Sequence, residues 1–176
     1  YFEKSVEANP SSSDYVSKLA GIYEKMQQFP EAITWYKKTL ELDEKDSLSW
    51  NKLGNIYYDL SDFSNAKICY RKALDNDKNT VVYFKNLGLA HRQLNEWQES
   101  LQAYNDALKL MPDDPETLNA IGIAWYGLKN FEESIHYYRQ AIAAAAKTSE
   151  KNNLDFYWAN IGLSYRDQGK TEEAEK

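Results

Sequence analysis

Cysteine is nearly missing from this chain of 176 residues, with Cys69 standing alone. That excludes an internal disulfide framework and a cysteine-based zinc site, and it fits a reducing, cytoplasmic compartment while leaving a periplasmic one open. Four prolines and seven glycines are too few for a disordered or turn-rich all-β chain. A basic excess is also lacking: the formal net charge is -6, which argues against non-specific nucleic-acid binding. No apolar run approaches the roughly 18 residues of a spanning helix; the longest candidate is AIAAAA at 141–146. No membrane insertion is expected of this segment. The chain opens on YFEKSVEANP without an initiator methionine, so the sequence is silent on an upstream signal or anchor.

What is present is hydrophobic and aromatic residues, 43% and 14% of the chain, and they recur. Moving 34 residues from WNKLGNIYY at Trp50 lands on FKNLGLAHR and again on LNAIGIAWY; moving back gives VSKLAGIYE, and WANIGLSYR begins at Trp158. One column holds Val16, Trp50, Phe84, Leu118 and Trp158, the next Leu19, Leu53, Leu87, Ile121 and Ile161. Then come Ala20, Gly54, Gly88, Gly122 and Gly162, and last Tyr23, Tyr57, His91, Trp125 and Tyr165. Offsets of three and four set all of them on one helical face. A second segment follows each time, with small residues at Ala32, Ala66, Ser100, Ser134 and Ala174, and tyrosines four residues on at Tyr36, Tyr70, Tyr104 and Tyr138. Small opposite large lets two antiparallel helices approach closely.

These residues resemble the W-x2-L-G-x2-Y signature of the tetratricopeptide repeat, and Ala66, Tyr70 and Ala73 match the rest of its pattern. The resemblance implies an all-α solenoid of antiparallel helix pairs stacked in a right-handed superhelix, with first helices lining a concave groove. Punctuation sets the units. Asp114 before Pro115 opens a first helix, and Pro30 opens a second. Repeats are placed at 13–46, 47–80, 81–114 and 115–154. Residues 1–12 are assigned to the second helix of a truncated upstream repeat, and 155–176 to a truncated repeat. Trp158 follows Leu118 by 40 residues, an insertion of six, which predicts a longer second helix followed by a loop.

A wall of repeated helices offers a surface for a partner segment and no closed pocket for chemistry. The expected function is therefore a non-catalytic protein-interaction scaffold, binding an extended or helical segment of a protein or peptide partner. First-helix residues off the packing columns should face that segment. They comprise Lys18, Lys52, Asn86 and Asn160 in one column, Asn51, Lys85 and Asn119 beside it, Asn55, and Tyr58, Arg92, Tyr126 and Arg166 deeper in. Amides and lysines donate to peptide carbonyls or acidic side chains. Asn86 and Asn160 are placed similarly to the asparagine ladder of O-linked N-acetylglucosamine transferase, which grips a peptide backbone; Lys18, Lys52 and Ala120 occupy the matching positions elsewhere. The two-carboxylate clamp of heat-shock co-chaperones is not matched, since Glu116 and Ala120 stand where its third helix needs cations.

No cofactor or metal set is evident. His91 sits in a packing column and His136 on an outer surface of a second helix, so neither forms a nucleophile–base pair with Cys69. Trp50, Trp125 and Trp158 read as packing residues. Two other functions remain open: a substrate-targeting domain of a larger enzyme such as a glycosyltransferase, and self-assembly into a homo-oligomer through exposed repeat ends.

Overall fold

A computed structural model describes residues 12–147 and 154–174. The described residues fold into helices joined by short turns, with no strand among them. The first helices are α1 (Ser13–Lys25), α3 (Ser47–Asp59), α5 (Val81–Gln93), α7 (Pro115–Gly127) and α9 (Leu154–Asp167). The second helices are α2 (Phe29–Leu42), α4 (Phe63–Asn76), α6 (Trp97–Leu110), α8 (Phe131–Lys147) and the single turn α10 (Thr171–Ala174). The second helix expected over 1–12 lies, apart from Ser12, outside the described residues, as does the loop expected after α8 over 148–153.

Each helix pair is closed by a three-residue turn: 26–28, 60–62, 94–96, 128–130 and 168–170. Its middle residue is left-handed, with φ of 57° at Gln27, 61° at Ser61, 58° at Asn95, 60° at Lys129 and 83° at Gly169. That conformation turns two backbone N–H groups onto orphaned helix carbonyls. In the second turn, Ser61 N–H donates to Tyr58 O at 2.8 Å and Asp62 N–H to Tyr57 O at 2.8 Å, and the others repeat the pattern. First helices α3 and α7 begin on carboxylate caps. Asp46 accepts from Ser49 N–H at 3.0 Å, and Asp114 from Thr117 N–H at 3.1 Å with Pro115 behind it.

The described residues form two compact units, divided between Ala90 and His91. In the first, Ala20, Ala32, Tyr36, Leu40, Leu53 and Ile56 make the core, with Trp35, Trp50 and Tyr57 packed against it. In the second, one cluster joins Leu101, Tyr104, Ile121 and Ala124, with Trp97 and Trp125 against it. Another gathers Leu118, Ala141, Ala144, Ala145 and Tyr157. Helix α8 runs 17 residues where α4 runs 14. Its alanines are small because Tyr157 of α9 lies on them.

The glycine column has the role its spacing predicts. A Cβ on Gly54 would lie 2.6 Å from the Tyr70 ring, and one on Gly122 would lie 2.5 Å from that of Tyr138. The packing role expected of Trp158 is not observed, because its side chain is 56% exposed. At the same column position, the Trp50 indole N–H donates to Glu44 O at 2.8 Å and the Lys72 ammonium lies 5.9 Å from its ring. Beside Trp158 the second helix is described over one turn only.

Candidate functional site

The polar first-helix positions hold one another. In the first unit Lys52 of α3 donates to Glu24 of α1 at 3.0 Å, and Glu24 also accepts the Tyr36 hydroxyl at 2.6 Å. Asn86 of α5 donates to Asn51 at 2.8 Å and to Asn55 at 3.2 Å, both on α3. The Tyr70 hydroxyl donates to the same Asn55 oxygen at 3.0 Å. In the second unit Asn160 of α9 donates to Asn119 of α7 at 3.1 Å. One sequence column, Lys52, Asn86 and Asn160, thus reaches back each time to the preceding first helix. The result is a polar seam within each unit. Asn51 and Asn119 are only 5% and 9% exposed, so they serve this seam from beneath the surface.

The other expected contact residues stand on the first helices of their own units. Lys18 is exposed and ion-paired with Asp14 at 2.7 Å, a bond that raises its pKa above the ordinary lysine value. Tyr58 is half-buried, its ring 5.1 Å from that of Phe63. Lys85 and Arg92 are half-buried. Tyr126 donates to Asp167, to which the Arg166 guanidinium also donates at 2.9 Å. These bonds hold the Asp167 carboxyl below its usual range, and the carboxylate in turn lifts the Tyr126 hydroxyl and Arg166 upward. Burial first, then the Glu24 carboxylate, raises the Tyr36 phenol; burial also raises Tyr70.

Several contributors are not among the expected contacts, although Glu24 stands in the same column as Tyr58, Arg92, Tyr126 and Arg166. Glu24 and Asp167 act as acceptors that gather donors from two helices. Exposed apolar side chains stand at the first turn of three first helices, Leu48 on α3 and Val82 on α5 in the first unit and Phe156 on α9 in the second, while α7 carries Glu116 at that position. The repeat offset that aligns the packing columns also aligns these three, and it is the signal by which they can be found.

His91 is buried, with Nδ1 2.5 Å from a Glu96 oxygen. His136 is exposed and bonded to Gln140. Burial pushes the Cys69 thiol up to about 12, the opposite of an activated nucleophile. Among the described residues no group of three or more His, Cys, Asp or Glu could hold a metal. Nor is any helix among them long and apolar enough to cross a membrane.

Family models match most of the chain. A model described as TPR repeat matches residues 20–61 and 88–129. Two described as tetratricopeptide repeat match 48–80 with 157–176, and 116–155. No curated protein matches in sequence. Among solved structures, MamA superposes with a TM-score of 0.83 at 22% identity, over 92% of this chain and 85% of its own. YrrB, described as a TPR protein with an unusual peptide-binding site, gives 0.82 at 21% identity, over 98% and 86%. BtubC from P. vanneervenii gives 0.79 at 17%, over 99% and 81%. Likeness at such identities concerns the fold.

Proposed function

Since the chain belongs to the tetratricopeptide-repeat family, we propose that it is a non-catalytic interaction scaffold whose first-helix faces bind a segment of a partner protein. The seam is the observation that carries this. Side chains held by Glu24, Asn55 and Asn119 are ordered before a partner arrives, so binding them costs less conformational entropy. A donor-rich, pre-ordered wall suits a peptide, whose carbonyls repeat along its length. The peptide-binding site in the description of YrrB supports a peptide ligand for a fold of this kind. The contact surface is assigned to Lys18, Lys52, Asn55, Tyr58, Lys85 and Asn86 in the first unit. In the second it is assigned to Arg92, Tyr126, Asn160 and Arg166, with Asn51 and Asn119 as supports.

The test is capture from a displayed peptide library, followed by photo-crosslinking of a retained peptide and mass-spectrometric mapping. Crosslinks on α3, α5, α7 or α9 are expected. Crosslinks confined to second helices would remove the first-helix assignment, and a library from which nothing is retained would count against a peptide scaffold altogether.

A second reading, self-association, draws on exposed Trp158, which with Arg139, Ile161 and Tyr165 lines a cleft of about 350 Å³. Sizing at several concentrations should then show dimers that disappear on fusing a capping helix after Lys176. Dimers that persist in the fusion would rule out this cleft.

A further inference from the structure

The face of the first unit separates into charge that is already spent and apolar surface that is not. Leu48 and Val82 are 58% and 52% exposed, large for branched aliphatic side chains. Leu48 stands three residues before Asn51 and Val82 four before Asn86. Leu48 and Val82, 34 residues apart, hold the same position of the repeat at the first turns of α3 and α5, two helices that the 2.8 Å bond between those asparagines joins. Neighbouring packed helices lie about 8–10 Å apart, a span that a single partner segment can bridge. Two of the lysines on the same face are engaged within the unit, Lys18 by Asp14 and Lys52 by Glu24. The Glu24 carboxylate that binds Lys52 also takes the Tyr36 hydroxyl. A partner carboxylate arriving here would have to displace a carboxylate already in place, and an exchange of like pairs gains little. An aliphatic or aromatic side chain would instead cover surface now in water.

We infer that the segment bound by the first unit is anchored by uncharged leucine, isoleucine, valine or phenylalanine side chains seated on Leu48 and Val82, with its charges playing no part in selection. The inference rests on the scaffold reading above and names the class of its partner.

The experiment selects binders for the 176-residue protein from a displayed library of random twelve-residue peptides, then measures retained peptides against variants and salt. Retained peptides should be rich in aliphatic and aromatic residues. Their Kd should change less than about twofold between 50 and 500 mM NaCl, as screening of exposed charges predicts when none is used. The L48S/V82S double variant should weaken them about tenfold or more, the loss expected when central anchors go. Leu48→Met with Val82→Ile should keep binding, and equal circular dichroism of all forms separates loss of contact from loss of fold. Peptides rich in Asp and Glu, bound steeply less at high salt and indifferent to L48S/V82S, would overturn the inference and leave the scaffold reading standing. If the native protein retains no peptide, both fall. Retention only of peptides that copy this chain's own sequence would move the surface to self-association and overturn it as well.

Discussion

Gly127 shows how much a single hydrogen atom can decide. A Cβ placed there would lie 2.6 Å from two atoms of the Trp97 indole, well inside van der Waals contact. Trp97 opens α6, where α2, α4 and α8 open on Phe29, Phe63 and Phe131. The larger ring is fitted by deleting a side chain on the neighbouring first helix. We expect Gly127→Ala to destabilise by about 1–3 kcal/mol, the cost of overpacking a close contact. Adding Trp97→Phe to it should recover most of that loss. Urea unfolding of the four members of the double-mutant cycle measures it, and additive effects would show that ring and glycine are not coupled. The pair lies off the repeat columns, so the 34-residue period does not reveal it. Gly54 and Gly122 lie on a column, and there the spacing alone predicts an approaching ring, supplied by Tyr70 and Tyr138. The first repeat has Ala20 on this column with glycine one residue later, at Gly21, and Tyr36 sends its hydroxyl to Glu24 where Tyr70 sends its own to Asn55. The difference depends on a neighbour from another helix, which one column cannot report.

Between one helix and the next, the turns carry a cost that the sequence leaves in place. Four of the five pair-closing turns put a non-glycine residue at positive φ, and only Gly169 is glycine. A lysine in that region costs about 1 kcal/mol or more relative to glycine, while asparagine tolerates it. Lys129→Gly should therefore raise stability by about 1 kcal/mol, and Asn95→Gly by much less, since asparagine already suits the left-handed region. Thermal unfolding of both variants checks this; similar losses in both would mean that the entropy glycine adds to the unfolded chain, not strain, dominates. The position of these turns was legible from the repeat, because a pair of packed helices needs a reversal between its two columns. Their left-handed residue was not, since Gln27, Ser61 and Lys129 carry no glycine or asparagine to mark it. The polar seam was half legible for a related reason. Periodicity assigns Lys52, Asn86 and Asn160 to one face, but only the stacking of helices shows that this face meets the preceding first helix.

At the scale of the whole chain, a repeated tyrosine column turns one local environment into a collective property. Tyr36, Tyr70 and Tyr138 are buried on the second helices α2, α4 and α8, and burial lifts each phenol above the ordinary value of 10, with Tyr138 raised to about 12. Each native phenol is held in its neutral form, so the raised pKa contributes stability that is fully present below pH 10. That stability drains away as pH rises through the folded-state value. For Tyr138 the loss amounts to on the order of 3 kcal/mol by about pH 12. Tyr36 and Tyr70 add to it, because unfolding releases all three phenols to ionise. The chain should thus unfold cooperatively in alkali, with the late part of the tyrosinate absorbance rise coinciding with loss of helical circular dichroism. Replacing Tyr138 by Phe removes one of these groups and should move the alkaline midpoint upward, provided that the lost hydroxyl is not itself a large source of stability at neutral pH. Urea unfolding at pH 7 measures that second quantity separately. If all fourteen tyrosines ionise by about pH 10.5, half a unit above the ordinary phenol value, while helicity stays unchanged, the column is not shielded from water in the way its packing on Gly54 and Gly122 requires.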